Sequence, residues 1–264
     1  MLKLNNISKT FEPGTLNEKR ALKGVSLDMK ESDFITIIGG NGAGKSTLLN
    51  AIAGMFMTDT GSIEIDGNDV TNLPEYKRAK YIGRVFQDTR MGTASGMTIE
   101  ENMAMAYRRG KGRTLRKGIT KAERDFYREH LKMLDLGLED RLTTKTGLLS
   151  GGQRQALTLL MATMTKPKLL LLDEHTAALD PKTAKKVLEL TKKIIAENKL
   201  TALMITHNMR DALKHGNRLV MMDKGKIIID LPEEQKKNLQ VSDLLSMFEK
   251  VSGDSITNDR MLLG

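Results

Sequence analysis

The chain has 264 residues, 39% hydrophobic and 28% charged, enough for one large domain or two small ones around a sizeable core. A formal net charge of +9 favours anionic partners (nucleotide, nucleic acid or lipid headgroups) without choosing among them. The lack of cysteine excludes disulfides and thiolate metal sites and fits a reducing cytosol, no apolar run reaches the roughly eighteen residues of a membrane span, and the start MLKLNNISK lacks the layout of a secretory signal.

In chain order, LKLNNI from Leu2 reads as a strand, and VSLDM (25–29) alternates, with Val25, Leu27 and Met29 on one face, as in a half-buried antiparallel strand. FITII (34–38) is continuously apolar, as expected of a parallel strand covered on both faces, and SIEID (62–66) is another short strand. From about residue 90 to 165 the pattern turns helical. Strands resume at KLLLL (168–172), TALMIT (201–206), RLVMM (218–222) and KIIID (226–230). Between the first two, Asp180-Pro181 reads as an N-cap with proline at the first helical position, and Ala184, Val187, Leu188, Ile194 and Ile195 recur on one helical face. This order predicts an α/β core interrupted by a helical insertion.

GGNGAGKST (39–47) follows the FITII strand and precedes a helical pattern, so Gly39, Gly44, Lys45 and Ser46 match G-x-x-x-x-G-K-[ST] in the strand–loop–helix context that the motif requires. Glycines let the backbone wrap until successive N–H groups converge on phosphate oxygens, and the following helix N-terminus adds to the attraction. The predicted nucleotide contacts are therefore Gly39, Gly40, Asn41, Gly42, Ala43, Gly44, Lys45, Ser46 and Thr47. Lys45 should reach the β- and γ-phosphates of ATP, and the Ser46 hydroxyl should ligate Mg²⁺.

In LLLLDEHTAALD (169–180) an apolar strand ends on two adjacent carboxylates, which burial without partners would make costly. Beside a phosphate loop, Asp173 is placed to hold Mg²⁺, and Glu174, pointing elsewhere, to orient or deprotonate the attacking water.

LLSGGQRQ (148–155) narrows the class. With Ser150, Gly151, Gly152 and Gln153 in the LSGGQ signature, the chain resembles the ATP-binding-cassette (ABC) ATPases over residues 2 to about 232. That resemblance implies a P-loop NTPase core with an antiparallel β subdomain and an inserted helical signature subdomain, followed by a C-terminal helical extension and tail over 233–264. It also implies that Phe11 stacks on adenine, that Gln87 in RVFQD contacts Mg²⁺ and senses a transmembrane partner, that Asp180 ends the D-loop, and that His207 in MITHN contacts the γ-phosphate. In the family two copies pack head-to-tail, so Ser150 to Gln153 of one chain would hold the ATP bound by the other. DEHTAALDP is similar to a subgroup of bacterial importer ATPases for amino acids or related small solutes. His175 stands where many members carry proline, and a packing role is expected of it rather than catalysis or metal binding.

The resemblance implies an ATPase on the cytoplasmic face of the membrane, working with separate permease subunits and indirectly with an extracellular solute-binding protein. An exporter subunit, or an ABC protein acting on ribosomes or nucleic acid, stays open. The single set of motifs, the 4% aromatic content and the lack of coiled-coil heptads weigh against the last two, and no nucleic-acid partner is expected.

Three signals are weaker. The basic stretch 107–124 suits either an anionic surface or a solvated loop, and ends in a capping box of Thr120 and Glu123. Met91, Met97, Met103 and Met105 suit an adaptable surface or a core equally. A short amphipathic helix is expected through Val241, Leu244, Leu245 and Phe248, and the tail after it carries no readable chemistry.

Overall fold

The computed structural model describes residues 1–110 and 118–252, so the centre of the basic stretch and the C-terminal tail lie outside the described residues. In chain order the first elements are β1 (Leu2–Phe11), β2 (Lys19–Met29), β3 (Phe34–Gly39), α1 (Lys45–Ala53), β4 (Thr60–Ile65), β5 (Asn68–Asp69), α2 (Glu75–Arg78) and β6 (Ile82–Val85). A helical region follows, with α3 (Ile99–Tyr107), α4 (Lys121–Lys132) and α5 (Gly151–Thr163). The chain then runs through β7 (Leu169–Asp173), α6 (Pro181–Asn198), β8 (Thr201–Ile205), α7 (Met209–Lys214), β9 (Arg218–Asp223), β10 (Lys226–Pro232), α8 (Glu233–Lys236) and α9 (Val241–Ser252).

Alternation in the N-terminal strands produces an antiparallel sheet in the order β2-β1-β4-β5, which buries Val25, Leu27 and Met29 on one face as their spacing predicts. The continuous apolar runs form a second sheet, in the order β10-β9-β3-β8-β7-β6. Its five strands from β9 to β6 are parallel and only β10 is antiparallel. Leu169, Leu170, Leu171 and Leu172 are all fully buried, the first and third in the core shared with α1 and the antiparallel sheet and the other two against α5 and α6, each contributing roughly 2 kcal/mol of hydrophobic stabilisation.

This strand order positions the chemistry. The C-terminal ends of β3, β8, β7 and β6 lie side by side, and they carry the phosphate loop, His207, Asp173 with Glu174, and Gln87 respectively. In open α/β sheets that edge is where ligands bind. Arg78, 1% exposed, steadies the helix behind the loop: its guanidinium donates to the carbonyls of Ala51 (2.8 Å) and Ile52 (2.9 Å) at the end of α1, and to those of Thr71 (3.0 Å) and Leu73 (2.7 Å).

The helical region has its own core of Ile99, Met103, Tyr127, Leu131, Leu157 and Leu160. Each of its helices starts on a capping box: Thr98 with Glu101, the expected Thr120 with Glu123, and Ser150 with Gln153. The methionines divide, for Met103 is fully buried while Met91 and Met105 are 63% and 50% exposed. On the far side of the parallel sheet, Leu244 and Phe248 of α9 pack with Met209 and Ala212 of α7.

Candidate functional site

The phosphate loop leaves β3 at Gly39 and enters α1 at Lys45. Gly44 caps α1 with φ 100°, and a Cβ there would lie 2.7 Å from the Ala21 carbonyl oxygen, so only glycine fits between the loop and β2. Residues 41–47 line a cavity of about 350 Å³ together with Lys19, Ala21, Gln87, Glu174 and His207. The Lys45 ammonium, 6% exposed, donates to the carbonyls of Gly39 (2.8 Å) and Gly40 (3.1 Å). Burial lowers its pKa, opposed by the charges of Glu174 and Asp173. A cation held this way is placed to move from its own loop carbonyls to phosphate oxygens.

The two carboxylates face different ways, as adjacent residues at a strand end should. Glu174, 8% exposed, leaves β7 in the left-handed region at φ 44°, unusual for a residue with a Cβ. Its N–H donates to the Ile205 carbonyl (3.1 Å), and its carboxylate Oε2 contacts Nε2 of His207 across the neighbouring strand. Asp173 is set back from the cavity wall, with Oδ2 3.6 Å from Nη2 of Arg84 on β6. Burial raises the Asp173 pKa, partly offset by Arg84. Ser46 and Gln87 line the cavity and Asp173 ends β7 behind it; their side-chain oxygens, with one desolvated carboxylate, are of the kind that suits a hard divalent cation such as Mg²⁺.

Other expected residues lie apart from this cavity. Phe11 is 36% exposed, packs edge-on against Phe56 with centroids 5.2 Å apart, and pairs across its hairpin with Lys19, a cavity residue. Ser150, Gly152 and Gln153 border a separate cleft beside α6. Ser150 accepts from the Gln153 N–H (3.2 Å) at the N-terminus of α5, and none of residues 150–153 lines the same chain's phosphate-loop cavity. A Cβ on Gly152 would sit 2.1 Å from Cγ2 of Thr183, so glycine is needed for α5 to approach α6. Asp180 caps α6 through the Thr183 N–H (3.0 Å).

His175 is a packing residue, 2% exposed, with Nε2 3.0 Å from Thr191 Oγ1. That hydroxyl already donates to the Val187 carbonyl (2.8 Å), so Nε2 carries the proton. Burial pushes the His175 pKa down to about 4.

Two polar residues at the site were not singled out by motif. Arg84 sits in YIGRVFQ, where a lone cation in a short apolar strand just before Gln87 was the available signal. Gln155, fully buried on α5, donates from Nε2 to the Phe86 carbonyl (3.0 Å) and so ties the signature helix to the residue preceding Gln87.

A family model described as ABC transporter matches residues 22–177. A tyrosine transport ATP-binding protein of Clostridioides difficile is 45% identical over 255 residues, covering 94% of this chain and 99% of that protein. A methionine import ATP-binding protein of Rhizobium johnstonii is 36% identical over 231 residues, covering 86% of this chain and 60% of the relative. Among solved structures, a dimeric ATP-binding cassette in a post-hydrolysis state with ADP and Pi superposes with a TM-score of 0.75 at 32% identity, covering 88% of this chain and 99% of that one. The family model, the relatives and the fold shared with solved cassettes agree: this chain belongs to the ABC transporter family of ATP-binding proteins and is an ATPase.

Proposed function

We propose that this chain is the ATP-hydrolysing subunit of a multi-subunit importer for an amino acid or a similar small solute, working as a head-to-tail dimer of two copies beneath separate permease subunits on the cytoplasmic face of the membrane. The observation that carries the reading is the separation of the signature from the phosphate loop within one chain: Ser150, Gly152 and Gln153 border one cleft and Lys45 another. In the dimer the helix N-terminus of a second copy would complete each nucleotide cavity. The dimeric cassette of similar fold supports a dimer.

In this scheme Lys45 and the loop amides hold the phosphates, Glu174 activates the water, and His207 steadies Glu174 and meets the γ-phosphate. Ser46, Gln87 and Asp173 would hold Mg²⁺, which would supply charge neutralisation for the bound phosphates. Phe11 would contact adenine and Asp180 would end the loop facing the partner copy. The names of the relatives, tyrosine transport and methionine import, favour an amino-acid cargo.

A permease contact is supported by a groove of about 570 Å³ between the parallel sheet and the helical region, rimmed by Met91, Met105 and Phe86. Methionine-rich, half-exposed grooves adapt to apolar segments of a partner. Among the described residues no helix is long and apolar enough to cross a membrane, so the membrane-spanning part is assigned to the partner.

The test is purification of tagged Glu174→Gln protein from its native cells in mild detergent with Mg-ATP, followed by mass spectrometry. A multispanning permease, with a solute receptor encoded beside it, is the expected companion. Recovery of ribosomal proteins or DNA with no membrane protein overturns the importer reading and leaves the ATPase intact.

A further inference from the structure

Arg84 joins Asp173, set behind the nucleotide cavity, to the methionine-rimmed groove. On β6 it stands opposite Leu171 of β7, two residues before Asp173, and its side chain is only 10% exposed. Nη2 is 3.6 Å from Asp173 Oδ2 and 2.5 Å from Asn50 Oδ1 on the phosphate-loop helix, while Nη1 meets the Met55 sulfur at 2.9 Å. The guanidinium lies 4.6 Å from the Phe86 ring centre. The same side chain lines the methionine-rimmed groove, where Glu75 is the facing acid. Its Nε is buried without a hydrogen-bond partner, so the guanidinium is held but not saturated.

A permanent cation 3.6 Å from a half-desolvated carboxylate offsets part of the charge that would attract a metal. Glu75 pulls on the same guanidinium from the groove side, where solvent screens it more than Asp173. Two acids therefore act on the one cation, Asp173 beside the nucleotide site and Glu75 in the groove that Arg84 also lines.

We propose that Arg84 is a positioning residue that competes with Mg²⁺ for Asp173, and that Glu75 biases the competition by drawing Arg84 toward the groove. Resting on the reading above, the segment that fills the groove would then set how firmly Asp173 holds the metal, linking partner docking to the nucleotide site through one side chain.

The experiment titrates Mn²⁺ by electron paramagnetic resonance into the full chain with saturating ADP, with no turnover involved. Arg84→Met keeps the length and apolar packing and removes the charge, and Mn²⁺ should bind about three- to tenfold more tightly. Glu75→Gln, outside the nucleotide cavity, should shift Arg84 toward Asp173 and weaken Mn²⁺ binding by a few-fold. A purely structural role for Arg84 would not tighten Mn²⁺ binding, and in the double variant Arg84→Met/Glu75→Gln the Glu75 change should have no further effect. A Glu75 effect that persists without Arg84 is direct loss of negative charge and overturns the route through Arg84. Unchanged or weaker Mn²⁺ binding in a folded Arg84→Met protein overturns the proposal, as does unchanged binding in Glu75→Gln should Arg84→Met fail to fold. ADP affinity measured in EDTA separates the two levels: if the unaltered chain does not bind ADP, the ATPase reading fails, whereas normal ADP binding with no Mn²⁺ effect removes only the role of Arg84.

Discussion

Glu174 and His207 meet across β7 and β8, the carboxylate Oε2 against imidazole Nε2, at the mouth of the cavity that the phosphate loop lines. The contact exists because Asp173 and Ile205 are in register, so the residues just beyond the two strand ends are brought together. A carboxylate fixed by an imidazole on one side can accept a proton from water on the other. Glu174→Gln should lower turnover by about a hundredfold or more while ATP still binds, and His207→Ala should slow it less. Phosphate-release kinetics under saturating ATP check both. Wild-type turnover in Glu174→Gln would remove Glu174 from the role of base.

Lys45 carries the charge that the loop offers to phosphate. Its ammonium is already desolvated against the carbonyls of Gly39 and Gly40, so it loses little further hydration on meeting ATP. Lys45→Ala should weaken ATP binding by about tenfold or more, a loss of at least ~1.4 kcal/mol, with the fold intact. Calorimetric titration measures it, and an unchanged affinity would contradict the loop assignment.

The distance between signature and phosphate loop predicts a division of labour between two copies. In a Glu174→Gln background, which holds ATP unhydrolysed, the chain should form a dimer on adding Mg-ATP. Ser150→Arg should abolish that dimer and leave ATP binding by the single chain within about twofold, because Ser150 does not line its own chain's nucleotide cavity. Light scattering during size exclusion reads the mass directly. A dimer that survives the arginine would place the interface elsewhere.

The buried imidazole of His175 ties stability to pH. Its folded pKa is near 4, below the ordinary value of 6.5. Between those two values the unfolded chain binds a proton that the folded chain refuses, so stability falls as pH drops from about 6.5 toward 4. Above 6.5 both states are neutral at this site and the contribution is flat. His175 should contribute up to one proton to the slope of chemical unfolding across that window, beside His215, whose pKa burial also lowers, and His175→Phe should reduce the slope by that share. An identical slope in both proteins would assign it to other groups.

Motif-bearing segments were readable from local sequence because their chemistry is local. A tight phosphate cradle needs glycine at positions such as Gly44, and the capping boxes at Thr120 and Ser150 need only a hydroxyl and an acceptor three residues on. β6 escaped the pattern because Gly83 and Arg84 interrupt its apolar residues, and its strand character comes from pairing with β7. The methionine stretch was ambiguous for a similar reason: the same side chain fills a core at Met103 and rims a groove at Met91.

By itself the sequence determined which groups could bind phosphate, hold a metal and activate water, since these depend on residue type and on spacing within a turn or two of backbone. Tertiary structure decided which of them meet. The parallel order β3-β8-β7-β6 is set by burying both faces of the sheet, and it brings together residues as far apart as Lys45, Gln87, Glu174 and His207. It also turned Asp173 toward Arg84 and carried Ser150 away from the loop. No spacing along the chain encodes those directions, because they arise from which surfaces pack against which.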